Sequence, residues 1–129
     1  MGEPIWLPRE AIVVLHEESL AEFGGLPGIR NDEGLESALA RPRNCHAYEG
    51  VEDAFRLAAE FAFGVMRNHP FLDGNKRGGF LAAGAFLALN GWSIRGDETE
   101  VANACILLAA GEWGVAEFSF WLRENCVAT

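Results

Sequence analysis

The sequence HPFLDGNKR, residues 69–77, joins two apolar helical stretches and brings several reactive groups close together. Gly74 and Asn75 stand where the second helix should begin. A helix N-terminus offers unpaired backbone N–H groups and a dipole that favours an anion. Lys76 and Arg77 would lie in the first turn, where positive side chains are electrostatically unfavourable. A bound polyphosphate would offset that cost, so the pattern predicts a phosphate site.

Two further side chains of this segment could carry out chemistry on a phosphate. Asp73 is a hard oxygen ligand of the kind Mg²⁺ prefers beside phosphate. His69 titrates near neutrality and could remove a proton from an attacking hydroxyl. Phe71 is predicted to point inward and anchor the loop. Each residue alone has an ordinary interpretation as turn chemistry, but together they are the parts that phosphoryl transfer needs.

The pattern on both sides of this loop is helical. Spacing of apolar residues predicts helices over residues 53–68, 75–89, 98–110 and 115–125. The predicted fold class is all-α: a compact bundle of about six helices, with at most a small hairpin. Residues 1–129 are expected to form a single domain.

The first third of the chain is less regular. A first helix should end at Gly24, and Asn31 or Asp32 can cap a short second helix, which Pro42 is expected to end. Residues 41–52 (RPRNCHAYEGVE) are predicted to be irregular or extended, and a small hairpin could lie there. In the first helix, His16 is predicted to be a buried, hydrogen-bonded structural histidine, with contact to the active site as the alternative.

Composition excludes several classes of protein. The net charge of −9 argues against a direct nucleic-acid binder. The longest apolar run, residues 80–89, is too short to span a membrane, and four glutamates among the first twenty residues argue against a secretory signal. Three cysteines without metal-ligand spacing are typical of a cytoplasmic protein with reduced thiols. Lys76 is the only lysine in the chain, which favours a specific role for it.

HPFLDGNKR resembles the signature loop of the Fic/Doc superfamily, in the form found in Doc (death-on-curing) toxins. The resemblance extends to GGLPGIR (24–30), LESALARP (35–42) and FLALNGW (86–92), so it covers nearly the whole chain. It implies a Fic fold that binds ATP and Mg²⁺. The site residues that it implies are His69 as general base, Asp73 as Mg²⁺ ligand, Gly74 and Asn75 around the anion, and Lys76 and Arg77 on the phosphates. It also implies that residues 41–52 form a flap that positions a target peptide by strand pairing.

The resemblance further implies which group is transferred. Fic enzymes that attach AMP typically carry HPFxxGNGRxxR, whereas here Lys76 replaces the small glycine and Phe80 the second arginine. In Doc-like proteins this change accompanies an inverted nucleotide, so that the γ-phosphate faces the acceptor. The implied activity is a protein kinase that acts on elongation factor Tu and arrests translation. The alternatives are a nucleotidyltransferase that attaches AMP or UMP, and a non-catalytic regulator.

Two other features bear on regulation and on the phosphate cradle. The chain lacks the inhibitory pattern Ser/Thr-x-x-x-Glu-Gly/Asn of many Fic enzymes, so inhibition is expected in trans, from a Phd-like antitoxin. Gly78 and Gly79 stand where Doc relatives commonly have Thr-Ala. They are expected to loosen the cradle or to admit a closer approach of the ligand.

Overall fold

The computed structural model describes residues 3–129, which contain six helices and two short strands. The all-α class with about six helices is therefore confirmed. Within these residues, no helix is both long enough and apolar enough to cross a bilayer. In chain order the elements are α1 (Arg9–Phe23), α2 (Asp32–Glu49), α3 (Ala54–Asn68), α4 (Asn75–Leu89), β1 (Trp92–Ile94), α5 (Glu98–Ala109), α6 (Val115–Glu124) and β2 (Cys126–Ala128).

Helix α3 lies at the centre of the bundle and packs against α2, α4 and α6. Its side chains Leu57, Phe61 and Val65 are fully buried, and burial of apolar surface is the main force that holds such a bundle together. Gly64 lets α2 approach closely, because a Cβ there would lie 3.0 Å from the Cα of Ala38. The central helix therefore fixes the position of the loop that follows it.

Helix α2 does not end at Pro42, and the prediction of an irregular or extended stretch over residues 41–52 is wrong for residues 41–49; only residues 50–52 are irregular. The helix continues to Glu49 and ends at Gly50, which takes the left-handed conformation with φ 68°. A proline inside a helix removes one hydrogen bond, but here Pro42 and Cys45 are buried on one face of the helix. That burial offsets the local penalty, so the predicted flap at residues 41–52 does not form.

The strands lie elsewhere in the chain. β1 and β2 pair antiparallel, with Trp92 opposite Ala128 and Ile94 opposite Cys126. The C-terminal residues thus return to the segment that follows α4. The small β element predicted for the fold exists, but residues 41–52 do not contribute to it.

Helix α4 begins without a side-chain cap. Its N-cap residue is Gly74, which takes the left-handed conformation with φ 74° and has no side chain to accept from the first turn. Helix α2, in contrast, is capped by Asn31, whose side chain accepts from the N–H of Gly34. The first turn of α4 is therefore left open to another acceptor.

Candidate active site

The loop between α3 and α4 starts with a left-handed histidine. His69 is the C-cap of α3 with φ 47° and ψ 56°, and it is the only non-glycine residue with positive φ in residues 3–129. Its N–H donates to the carbonyl of Val65 at 3.1 Å, and its side chain is exposed. A left-handed backbone is unfavourable for a residue with a Cβ. The predicted general base therefore sits in a strained position and is accessible to a large substrate.

A glycine-rich turn preceding α2 pairs with this loop. The N–H of Leu72 donates to the carbonyl of Gly28 at 3.1 Å, and the N–H of Arg30 donates to the carbonyl of Pro70 at 2.7 Å. The guanidinium of Arg30 also donates to the carbonyl of His69, from Nη2 at 2.7 Å and from Nε at 3.2 Å. The extended segment beside the candidate base is therefore the exposed turn GGLPGIR.

The inner side of the loop is held by Phe71, His16 and Asn75. Phe71 is 1% exposed, which confirms the predicted inward anchor, and its ring stacks on that of His16 with centroids 3.7 Å apart. The side chain of Asn75 accepts from the N–H of Phe71 and donates to its carbonyl, each at 3.0 Å. Asn75 thus holds the shape of the loop with its side-chain amide.

His16 is buried and hydrogen-bonded, and its partner belongs to the loop itself. Its Nε2 donates to the carbonyl oxygen of Asp73 at 2.7 Å, so Nε2 carries the proton. The predicted role as a buried, hydrogen-bonded structural histidine is therefore confirmed, and His16 also contacts the loop that carries the candidate site. His16 also lines the backbone at Gly74, where a Cβ would lie 3.4 Å from Nε2.

Asp73 presents its carboxylate at the surface in a fixed orientation. Its Oδ1 accepts from the N–H of Gly74 at 2.9 Å, and its Oδ2 accepts from the N–H of Leu26 at 3.2 Å. Residues 3–129 contain no group of three or more His, Cys, Asp or Glu side chains that could hold a metal alone. One oriented carboxylate fits the way Mg²⁺ is bound beside a nucleotide, where water and phosphate oxygens complete the shell.

The first turn of α4 offers three N–H groups and two cations. The N–H of Gly78 makes the first helical bond, to the carbonyl of Gly74. Those of Asn75, Lys76 and Arg77 donate to no acceptor in the described part of the chain. No acidic residue stands in this turn. Unpaired N–H groups beside two cations could accept an anion, and the phosphate site stays a prediction.

The two cations face a groove between α1, α4 and α5. The guanidinium of Arg77 lies 4.3 Å from the ring centroid of Phe23 and donates to Oγ of Ser19 at 3.4 Å. Lys76 lies near the half of the groove formed by α5. Burial raises the pKa of Cys105 there to about 11, while Lys76 lowers it only in part. The thiol is therefore protonated near neutrality and is a poor nucleophile.

The groove has a volume of about 1100 Å³ and is mostly apolar. Neither His69 nor Asp73 lines it, so it meets the candidate active site only at Lys76 and Arg77. Its apolar walls include Phe23, Phe80, Leu81 and Ile106.

Gly78 and Gly79 are buried and serve the packing of helices. A Cβ at Gly79 would lie 2.9 Å from the carbonyl oxygen of Ala62 and 3.0 Å from Cγ of Met66, so this glycine lets α4 approach α3. A Cβ at Gly78 would meet Phe71 at 3.5 Å, an ordinary contact. The expectation that the pair admits a closer approach of a ligand is wrong, because both positions face the protein interior. That the pair loosens the cradle stays a prediction.

Sequence reasoning missed the residues that hold the loop from outside. Arg30 was part of the recognised GGLPGIR turn, but no spacing rule connects it to His69. The N–H of Leu26 on Asp73 belongs to the same turn. The signal available was the concentration of glycines in this turn, which marks close backbone contacts.

Comparison with known proteins agrees with this geometry. The model of the "Fic/DOC family" matches residues 6–87. The chain is 32% identical over 115 residues to "Protein kinase doc" of Escherichia phage P1, covering 89% of this chain and 90% of that protein. It is 36% identical over 93 residues to "Toxin Doc" of Mycolicibacterium smegmatis, covering 71% and 69%. This chain therefore belongs to the Fic/DOC family, in its Doc branch.

Proposed function

We propose that this protein is a toxin kinase that transfers the γ-phosphate of ATP to a hydroxyl group of another protein. The observation that carries the proposal is the first turn of α4, where three N–H groups that find no acceptor within residues 3–129 and two cations lie next to an exposed histidine. The relative in phage P1 is named a protein kinase, and this chain spans 90% of it. The target that the family resemblance suggests is elongation factor Tu, whose modification would arrest translation in the cytoplasm.

Each residue of the candidate site has its own role in the proposed transfer. His69 accepts the proton of the acceptor hydroxyl as its oxygen attacks the γ-phosphorus. A bond forms between that oxygen and phosphorus, the bond to the β-phosphate oxygen breaks, and ADP leaves with the electron pair. The N–H groups of residues 75–77 bind phosphate oxygens, and Lys76 and Arg77 neutralise their charge. Mg²⁺ held by Asp73 would supply further charge neutralisation between the phosphates.

Labelled ATP tests this proposal directly. We expect elongation factor Tu incubated with the protein, Mg²⁺ and ATP to acquire label from the γ position and none from the α position. The variant H69A should lose about 100-fold or more of the rate, the usual contribution of a general base. The matched control is H46A, because His46 bonds the carbonyl of Val51 outside the site. Label from the α position alone would show a nucleotidyltransferase instead.

Lys76 is the residue that we propose selects phosphate over AMP. Its side chain lies in the exposed first turn of α4, where the AMP-attaching relatives have glycine. An ammonium group there changes which end of the triphosphate the turn can hold. The variant K76G should therefore acquire measurable α-label transfer, and unchanged γ-label transfer by K76G would show that Lys76 does not set the pose.

The groove between α1, α4 and α5 is the proposed binding site of a Phd-like antitoxin. The antitoxin segment would fold onto the apolar walls and cover Lys76 and Arg77 at one end, in competition with ATP. If cells that express the H69A variant still stop growing, the protein would instead be a non-catalytic regulator.

A further inference from the structure

We infer that Arg30 is a positioning residue for the candidate base: it holds the His69 backbone in the left-handed conformation from which the imidazole faces the substrate. The inference rests on the proposed function of His69. Arg30 lies 39 residues before His69 in the chain and reaches it only through the fold. It contacts a backbone oxygen, so it acts through His69 and not on the reacting atoms.

The contact is specific for one peptide group. Two donor nitrogens of Arg30, Nε and Nη2, converge on the carbonyl oxygen of His69, and no other donor in residues 3–129 reaches that oxygen. The backbone N–H groups of Arg30 and Asn31 donate to the next carbonyl, that of Pro70, at 2.7 and 3.0 Å. The turn thus holds two successive carbonyls, one through a side chain and one through the backbone.

The left-handed conformation needs such a restraint. A residue with a Cβ adopts φ 47° only when its surroundings impose it. The backbone dihedral angles at His69 determine the direction of its side chain, so a shift to the helical or extended region would turn the imidazole away. The rest of the loop is held separately, by the bonds of Asn75 to Phe71 and of His16 to Asp73.

Arg30 has no competing partner that would explain its presence. Its side chain is exposed, and it forms no ion pair with a carboxylate in the described residues. Within the described residues, the side chain of Arg30 therefore forms hydrogen bonds to His69 alone. Because the side chain adds little to the core, its loss should affect the orientation of His69 more than the stability of the fold.

Kinetics of R30A and R30K test the inference. We expect R30A to lower kcat about 100-fold, the effect of a misplaced reacting group, while KM for ATP changes less than about twofold. R30K keeps a single donor nitrogen and should recover part of the loss. The matched control is R95A, an exposed arginine in the β1–α5 connection whose side chain makes no hydrogen bond or ion pair within residues 3–129. The inference would be overturned if R30A kept the wild-type kcat, or if the substitution changed only KM.

A structural measurement separates this inference from the proposed function. The backbone φ of His69 can be read by NMR coupling constants or by crystallography of R30A without nucleotide. Release of His69 from the left-handed region, with unfolding by urea unchanged, supports the positioning role even if the wild-type protein transfers no phosphate. A His69 that keeps φ near 47° in R30A would refute it, whatever the activity.

Discussion

The imidazole of His16 donates a hydrogen bond to the carbonyl oxygen of Asp73 across 2.7 Å and links the middle of α1 to the residue that precedes the N-cap of α4. His16 is 3% exposed, and its ring also stacks on Phe71. One buried side chain therefore holds both the apolar anchor of the loop and the backbone next to the proposed phosphate site.

Replacing His16 should loosen the loop in two separable ways. H16F keeps an aromatic ring but leaves the carbonyl of Asp73 without its donor. This should lower the free energy of unfolding by about 1–3 kcal/mol. H16A also removes the stacking and leaves a cavity, so we expect a larger loss, about 3–4 kcal/mol. Urea unfolding measures both, and hydrogen exchange should rise at Gly74 and Asn75. Equal stability of H16F and the wild-type protein would contradict the assigned hydrogen bond.

The two adjacent glycines of α4 should respond oppositely to alanine. G79A places a Cβ against the carbonyl of Ala62 and the side chain of Met66, so it should destabilise the fold by about 1–3 kcal/mol. G78A meets Phe71 at ordinary distance and should stabilise by about 0.4–1 kcal/mol, because alanine loses less entropy in a helix. Each variant serves as the other's control in chemical denaturation. Similar effects of both substitutions would contradict the packing described for α3 and α4.

A buried carboxylate ties α2 to α3 and makes stability depend on pH. Glu60 is 2% exposed and accepts from Nε of Arg41 at 2.6 Å and Nε of Arg56 at 2.9 Å. Burial raises the pKa of Glu60, but the hydrogen bonds from the two arginines outweigh it, so the pKa lies below the ordinary 4.5. The charged form of Glu60 therefore stabilises the fold fully above pH 4.5. This stabilisation is lost as pH falls through the lower pKa that Glu60 has in the folded state.

The variant E60Q tests this account. It should lower the free energy of unfolding at pH 7 by about 1–3 kcal/mol, because the two guanidinium groups lose the charged carboxylate and one of its two acceptor oxygens. The difference from the wild-type protein should shrink as pH falls below 4.5. E112Q, which changes an exposed glutamate in the turn before α6, is the matched control. A difference that does not depend on pH would contradict the assigned charge.

The groove should be needed for antitoxin binding and dispensable for phosphate transfer. Ile106 lines it and is 52% exposed, so I106D places a charge on the apolar wall at little cost in stability. We expect affinity for the cognate antitoxin to fall at least about 10-fold by calorimetry, with transfer activity unchanged. V14D alters an equally exposed residue of α1 outside the groove and should bind normally. Normal binding by I106D would place the antitoxin elsewhere.

The sequence predicted the parts of the site that are local in the chain. The start of α4, the inward Phe71 and the glycine N-cap follow from residues within one segment. Helix α2 was predicted too short. The sequence shows that Pro42 is unfavourable inside a helix, but it does not show that Pro42 is buried. The bond from Arg30 to His69 joins a side chain to a backbone carbonyl across the fold. Such contacts leave no periodic pattern, so only the structure reveals them.

The proposed kinase activity requires that the first turn of α4 bind the triphosphate of ATP. A crystal structure with Mg²⁺ and a non-hydrolysable ATP analogue tests it most directly. We expect phosphate oxygens on the N–H groups of residues 75–77, the metal at Asp73 and the γ-phosphate beside His69. An analogue that binds elsewhere, or calorimetry that detects no binding that depends on Lys76 and Arg77, would contradict it.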